Sequence, residues 1–182
     1  MNVETTFIQD LVVLTPDVFE DSRGYFFEGY NKNKLSALGI DIEFVQDNQS
    51  FSQRGTLRGL HYQNPPYAQT KLVRVLQGEI MDVAVDLRKD SPTYGQHFTI
   101  RLSSENKKQL LVPQGFAHGF SVLSETAVVL YKCDQFYNKA SEGGIRFDDP
   151  TLAIDWGMDL KEAIVSDKDV MLPSFEACNS QF

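Results

Sequence analysis

The feature that most constrains this chain is a succession of short apolar runs, each ended by glycine, proline, asparagine or aspartate. Ten runs indicate β-strands, at residues 11–14, 25–30, 42–51, 57–62, 71–76, 80–87, 97–102, 109–112, 116–123 and 127–132. No long helical segments alternate with them, which favours antiparallel pairing. The sequence therefore predicts an all-β sandwich or barrel of the jelly-roll kind with a few short helices.

The length and composition suit one domain over residues 1–182. With 182 residues and 42% apolar content, the chain is large enough to bury a core of ordinary size. We expect a helix over residues 32–38, capped by Asn31 and ended by Gly39, and a second short helix or turn near residues 160–164. Residues 174–182 are expected to form a loosely held tail.

Net charge and cysteine content limit the class of protein. A net charge of −8 argues against attraction to nucleic acid or to an anionic membrane. The first residues lack the pattern of a secretory signal, and no run approaches membrane-spanning length. The two cysteines, Cys133 and Cys178, are too few for a disulfide framework. These observations predict a cytoplasmic protein.

Residues 55–77 place charged groups in segments that otherwise resemble buried strands. Arg58, His61 and Lys71 lie there, and such groups are seldom buried without a partner or a function. Strict alternation would put Arg58 and His61 on opposite faces of one strand. We therefore expect a bulge or sharp bend at Gly59 that brings both side chains into one polar neighbourhood.

The three histidines lie in different surroundings. His97 belongs to an unremarkable strand edge and is interpreted as structural or exposed. His61 is either a core histidine satisfied by backbone groups or, because Arg58 and Lys71 are near, part of a titratable pocket. His118 is enclosed by aromatic residues beside glycine and proline, where a ligand contact and a turn-stabilising role are equally compatible with the pattern.

The Pro-x-Gly-x-x-His pattern that ends at His118 suggests a cupin. A metal-binding cupin usually supplies two histidines one residue apart and a glutamate shortly afterwards. Here Gln63 stands where the second histidine would follow His61, and no further histidine is spare. The sequence therefore predicts no metal, and we expect no other cofactor.

Without a metal, the available groups suit proton transfer next to a carbonyl. That reaction needs a base, a cation or donor for the enolate, and an acid. His61 would be the base, Lys71 would face the enolate oxygen and Tyr131 would be the acid. A core tyrosine with its hydroxyl tied off remains the alternative for Tyr131. The acidic run at residues 166–169 either orients the imidazole or forms a solvated loop.

Seven motifs resemble those of the dTDP-4-dehydrorhamnose 3,5-epimerases. They lie at residues 21–28, 44–50, 57–63, 69–75, 82–88, 112–120 and 131–132. Because several long motifs agree in order and spacing over nearly the whole chain, the resemblance is far more specific than a single pattern.

The resemblance implies a metal-free cupin that is dimeric through strand exchange. Its substrate would be dTDP-4-dehydro-6-deoxy-D-glucose, inverted at C3 and C5 to dTDP-4-dehydro-L-rhamnose in dTDP-L-rhamnose biosynthesis. Two alternatives remain open, namely an epimerase that inverts one centre of a related dTDP-4-keto sugar and a non-catalytic cupin that binds sugar nucleotides.

The resemblance also implies a role for each matching residue. His61 would be the base with Asp169 as its orienting partner, and Tyr131 would be the acid on the opposite face of the sugar. Lys71 and His118 would lie near the sugar, with Arg58 and Arg23 at the diphosphate. The remaining implied substrate-binding residues are Phe26, Glu28, Gln46, Asn48, Glu142, Lys168 and Tyr137, the last of which would stack on thymine.

Overall fold

The computed structural model describes residues 1–182 and is built mainly of strands. The strands are β1 (Asn2–Thr5), β2 (Val12–Thr15), β3 (Phe19–Asp21), β4 (Gly24–Phe26), β5 (Gln46–Gln53), β6 (Thr56–Gln63), β7 (Lys71–Gln77), β8 (Glu79–Asp86), β9 (His97–Ser103), β10 (Gln109–Val112), β11 (Phe116–Val122), β12 (Thr126–Cys133), β13 (Glu142–Gly144) and β14 (Ile164–Val165). The helices are α1 (Lys32–Ala37) and α2 (Asp167–Val170), with single 3-10 turns at Lys139–Ser141 and Leu160–Glu162. Neither helix has the length and hydropathy of a membrane-spanning segment.

Two sheets form the jelly roll. The first has the strand order β1-β2-β10-β7-β12-β5, and the second has the order β13-β6-β11-β8-β9 with β14 paired to β6. Strands β3 and β4 form a separate hairpin. Every pairing is antiparallel except that of β14 with β6. The all-β prediction is therefore confirmed, and each predicted run overlaps a strand.

The main core lies between the two sheets. A cluster of 15 buried residues combines side chains of the first sheet, such as Val73 and Val129, with side chains of the second, such as Ile80 and Phe120. A second cluster, which includes Leu60 and Trp156, covers the outer face of the second sheet. Full burial of side chains of this kind contributes about 1.5–3 kcal/mol each, so these clusters fix how the two sheets pack.

Helix α1 forms where the sequence predicts it. The Asn31 side chain accepts a hydrogen bond from the Lys34 amide, and Gly39 follows the helix with a φ of +84°. Buried Leu35 packs against Leu14 and Leu72 on the outer face of the first sheet. The expected turn near residues 160–164 is the 3-10 turn Leu160–Glu162.

Residues 174–182 differ from the expected loose tail. Phe175, Cys178 and Phe182 pack against the cluster on the outer face of the second sheet. The Tyr62 hydroxyl donates to Asn179 Oδ1 at 2.9 Å, and other contacts join this segment to β6 and its following turn. The apolar residues of this segment are isolated among polar ones and show no periodicity. The sequence pattern therefore did not indicate that the segment would pack against the sheet.

Candidate active site

A cleft between the two sheets consists of two adjoining cavities. The first, of about 310 Å³, is lined by Gln46, Asn48, His61, Tyr62, Gln63, Gln69, Lys71, Tyr131, Tyr137 and Glu142. The second, of about 280 Å³, is lined by Ser50, Arg58, His61, Lys71, His118, Gly119, Phe120, Tyr131, Ser166, Lys168 and Asp169. Three side chains, those of His61, Lys71 and Tyr131, border both cavities. They therefore stand at the junction, within reach of a ligand that fills either one.

The bend predicted at Gly59 is confirmed. Gly59 has a φ of +127°, and the pairing of β6 with β11 shifts register between His118 and Phe120. A Cβ at Gly59 would lie 2.6 Å from Gly119 Cα, so a side chain has no room there. The extra residue on β6 places Arg58 and His61 on the same side of the strand, and both border the second cavity.

His61 is paired with a carboxylate from helix α2. Its Nε2 lies 2.7 Å from Oδ1 of Asp169, whose Oδ2 accepts the Gly59 amide at 3.1 Å. Asp169 lies on α2, which the Ser166 hydroxyl caps, so the sequence-based alternative of a solvated loop is wrong. Although burial favours the neutral acid, the hydrogen bonds from His61 and Gly59 lower the pKa of Asp169. The ionised carboxylate can therefore orient the imidazole and stabilise a positive charge on it.

Tyr131 faces His61 from the other sheet. His61 lies on β6 of the second sheet, whereas Tyr131 lies on β12 of the first, and both side chains line each cavity. The Tyr131 hydroxyl makes no hydrogen bond within the chain, unlike a core tyrosine whose hydroxyl is tied off. Burial raises the pKa of Tyr131, so the phenol keeps its proton at neutral pH.

Lys71 lies beside Tyr131 on the neighbouring strand β7. Its Nζ is 5.9 Å from the centre of the Tyr131 ring, and it forms no salt bridge. Burial lowers the pKa of Lys71, while the charges of Cys133, Asp82 and Glu142 oppose that shift. An ammonium group without a carboxylate partner is available to an anionic oxygen in the cleft.

The second cavity adds two further cationic or polar groups. Arg58 donates from Nε to Ser52 Oγ at 3.1 Å and has no carboxylate partner. The Nε2 atom of His118 lies 2.8 Å from Oδ1 of Asp82. A planar guanidinium group with unpaired donors suits a diphosphate, which it can bind in a bidentate manner.

The first cavity has a polar entrance built by residues distant in sequence. Gln46 Nε2 donates to Asn48 Oδ1 at 3.1 Å, and the Tyr137 amide donates to Gln46 Oε1 at 3.2 Å. The Tyr137 hydroxyl donates to Glu142 at 3.1 Å, and Lys168 Nζ donates to the same carboxylate at 2.6 Å. The Tyr137 ring is 55% exposed and offers a stacking surface at this entrance.

The comparisons with known proteins agree with one another. The profile of a family described as dTDP-4-dehydrorhamnose 3,5-epimerase matches residues 5–177. A Shigella flexneri protein of that name is 51% identical over 171 residues, which cover 93% of each chain. The chain belongs to the dTDP-4-dehydrorhamnose 3,5-epimerase family.

Solved structures of this epimerase family share the fold. The crystal structure of dTDP-4-dehydrorhamnose 3,5-epimerase from Elizabethkingia anophelis is 52% identical, with a TM-score of 0.93 and 97% of each chain covered. The RmlC epimerase from Legionella pneumophila, in complex with dTDP-4-keto-L-rhamnose, is 46% identical, with a TM-score of 0.92 and 97% and 93% of the two chains covered.

Three residues that the epimerase resemblance assigned to substrate lie away from the cleft of their own chain. Arg23 and Phe26 belong to the β3–β4 hairpin, where Arg23 pairs with Asp21 and the Phe26 ring is 67% exposed. Glu28 pairs with Lys34 and accepts a hydrogen bond from Asn31. None of the three borders either cavity, so one chain alone does not bring the whole predicted set together.

Several residues near the cleft of this epimerase family member were not predicted as site residues. Gln63 and Gln69 border the first cavity, and Ser50 and Ser166 border the second. Asp82 is fully buried behind His118. Its signal in the sequence is a carboxylate in the middle of strand β8 with apolar residues on both sides, since a buried acid needs a partner.

Proposed function

We propose that this chain is a dTDP-4-dehydrorhamnose 3,5-epimerase. It inverts C3 and C5 of dTDP-4-dehydro-6-deoxy-D-glucose and releases dTDP-4-dehydro-L-rhamnose for dTDP-L-rhamnose biosynthesis. One observation carries the proposal: His61 and Tyr131 project from opposite sheets into a cleft that also holds Lys71. The ligand of the Legionella relative, dTDP-4-keto-L-rhamnose, supports the same class of compound.

The reaction begins with proton abstraction by His61. The C4 ketone acidifies the hydrogens at C3 and C5, because the electron pair left on carbon is delocalised onto the ketone oxygen. Lys71 stabilises the resulting enolate oxygen through its ammonium charge. Asp169, 2.7 Å from His61, holds the imidazole in orientation and stabilises the imidazolium that forms.

Inversion follows from reprotonation on the other face. Tyr131 donates its phenolic proton to the same carbon from the opposite sheet, so the new C–H bond forms on the side away from His61. The imidazolium loses its proton and the phenolate regains one through solvent, which returns the site to its starting state. A second cycle at the other carbon completes the double inversion.

The nucleotide part lies along the polar entrance and the cationic end of the cleft. Arg58 binds the diphosphate, and His118 contacts the sugar beside Lys71. Tyr137 stacks on thymine, which its 55% exposure at the entrance permits. The remaining polar contacts come from Gln46, Asn48, Glu142 and Lys168.

The protein acts as a homodimer whose hairpin completes the cleft of the second copy. Support comes from the exposed aromatic rings of the β3–β4 hairpin, Phe19, Tyr25 and Phe26, which are 66%, 58% and 67% exposed. Such a patch on a monomer surface is typical of an interaction site. Arg23, Phe26 and Glu28 would then serve the partner's substrate.

A complementation experiment tests this arrangement. We expect His61→Ala and Arg23→Ala homodimers each to have low activity, and mixed heterodimers to recover part of it. If Arg23 of one copy serves the His61 of the other, one of the two sites of the heterodimer combines an intact His61 with an intact Arg23. If each site is built within one chain, both sites carry a substitution and no activity is recovered. A monomeric wild-type protein by light scattering, or no recovery in purified heterodimers, would contradict the shared site.

The cytoplasm is the proposed compartment. Cys133 and Cys178 are both free thiols, with no disulfide between them. Free cysteines that are partly or fully buried fit a reducing environment.

The test of the activity is NMR of the dTDP-4-keto sugar in deuterated water with the wild-type protein, followed by a reductase to trap the sugar formed. We expect deuterium at both C3 and C5 and an L-sugar after reduction. Label at one centre alone would identify a single-centre epimerase. Binding of dTDP without any label would identify a non-catalytic binding protein, and the His61→Ala variant provides the matched blank.

A further inference from the structure

Asp82 on β8 is a buried carboxylate that borders neither cavity. It is 0% exposed, its Oδ1 lies 2.8 Å from His118 Nε2, and its Oδ2 has no hydrogen-bond partner. An incompletely paired buried carboxylate lowers stability, so its presence calls for a physical reason. This hydrogen bond places it directly behind His118, which lines the second cavity.

The contact with Asp82 fixes which nitrogen of His118 faces the cavity. An ionised carboxylate only accepts hydrogen bonds, so Nε2 of His118 carries the proton of this contact. The other ring nitrogen, Nδ1, makes no hydrogen bond within the chain. Four side-chain atoms are both buried and without a hydrogen-bond partner, namely Thr15 Oγ1, Ser50 Oγ, Asp82 Oδ2 and Gln109 Oε1. Because Nδ1 has no partner and is not one of these four, it is not sealed in the interior. Nδ1 is thus accessible from the cavity that His118 lines.

Asp82 also acts on the charge of Lys71. Burial lowers the pKa of Lys71, and Cys133, Asp82 and Glu142 act against that shift. Glu142 is already neutralised by Lys168 at 2.6 Å, whereas Asp82 has no cation paired with its free oxygen. The titratable and charged groups around the cleft, besides Lys71, are Arg58, His61 and Tyr62 on β6, Asp82 on β8, His118 on β11, Tyr131 and Cys133 on β12, Tyr137 in the following loop, Glu142 on β13, and Lys168 and Asp169 on α2.

We infer that Asp82 is a positioning residue that holds His118 with Nδ1 toward the sugar and keeps the ammonium charge on Lys71 during the reaction. The inference rests on the proposed epimerase function. Asp82 touches no substrate, and its effect passes through two side chains that do. In this arrangement Nδ1 of His118 faces the cavity and accepts a hydrogen bond from a sugar hydroxyl. The buried negative charge favours the protonated form of Lys71, which the enolate oxygen requires.

The test compares Asp82→Asn with the matched variant Asp149→Asn. Asp149 is also buried, at 3% exposure, but it binds backbone amides of residues 151, 152 and 175 and borders neither cavity. We expect Asp82→Asn to lower kcat/KM at least about tenfold. We also expect the alkaline limb of the pH profile of kcat/KM to move about one pH unit lower, because Lys71 loses its proton more easily without the negative charge of Asp82. The Asp149→Asn variant keeps the wild-type profile.

Two further measurements separate the outcomes. Circular dichroism and dTDP binding establish that each variant is folded with its nucleotide site intact, and Asp82→Ser, also uncharged, repeats the comparison if Asp82→Asn is unstable. If the alkaline limb of kcat/KM lies at the wild-type pH in either folded Asp82 variant, the inference is overturned. If the wild-type protein incorporates no deuterium into the keto sugar, the proposed function itself fails, which is a distinct result.

Discussion

The Nε2 atom of His61 lies 2.7 Å from Oδ1 of Asp169, although 108 positions separate the two residues in the chain. Two local features bring them together. The extra residue at Gly59 turns His61 into the cleft, and the Ser166 cap starts the short helix that carries Asp169. The Gly59 amide also donates to Asp169, so the bend and its partner carboxylate stabilise each other.

Removal of this carboxylate should slow the proposed reaction without preventing nucleotide binding. We expect Asp169→Asn to lower kcat about 10–100-fold, because the imidazole loses its orienting partner. His61→Ala should lower it further, by about 10²–10⁴-fold, because the base itself is lost. The matched control is Asp167→Asn, an exposed carboxylate on the same helix. Unchanged deuterium exchange in His61→Ala would rule out His61 as the base.

Removal of the Tyr131 hydroxyl should separate proton exchange from inversion. In Tyr131→Phe, His61 still removes the proton and returns one from solvent to the same face. We therefore expect deuterium in the recovered substrate, while inverted product falls about 10²–10⁴-fold. NMR of the sugar ring distinguishes the two species. Wild-type levels of the L-sugar would show that another group supplies the proton.

The alkaline limb of the pH profile should belong to Lys71. Burial lowers the pKa of Lys71 toward neutral pH and raises that of Tyr131 away from it, so Lys71 is the group of this pair that we assign to the limb. Arginine stays protonated throughout the range, so Lys71→Arg should move the alkaline limb of kcat/KM to higher pH even if its rate is reduced. A limb at the same pH in both proteins would assign it to a different group.

Gly59 should tolerate no side chain. A Cβ there would lie 2.6 Å from Gly119 Cα at a φ of +127°, so we expect Gly59→Ala to lower the free energy of unfolding by about 1–3 kcal/mol and to displace Arg58 and His61. Gly39 provides the control, because it also has a positive φ, +84°, but no atom within 4 Å of an added Cβ. Chemical denaturation and turnover measure both effects. Equal losses in the two variants would contradict a special role for the bend.

The sequence predicted the strands and the bend better than the short polar elements. The runs that form β6, β7, β8, β11 and β12 are apolar and bounded by turn residues, and a conflict of alternation between Arg58 and His61 indicated the bend. Helix α2 is only four residues long and polar, so no periodicity marked it. Strands β1, β3, β13 and β14 were missed because each is short and contains no apolar run longer than two residues.

The position of the hairpin residues could not be read from the motifs. Residues 21–28 carry as clear a resemblance as any other motif, yet Arg23 and Phe26 lie outside the cleft of their own chain. A motif records which residues occur together and in which order, but not which copy of a chain uses them. The distinction between a site within one chain and a shared site depends on tertiary and quaternary packing.

The placement of His61 and Tyr131 on facing sheets makes their separation depend on the thickness of the core rather than on a mobile loop. Side chains such as Val73 and Val129 set that thickness, though neither borders the cleft. Mutations that shrink or overfill the sandwich interior would therefore change how well a hexose ring fits between the two reacting groups. Substitutions of apolar core side chains between the two sheets would thus change substrate preference, with every polar residue of the cleft left unchanged.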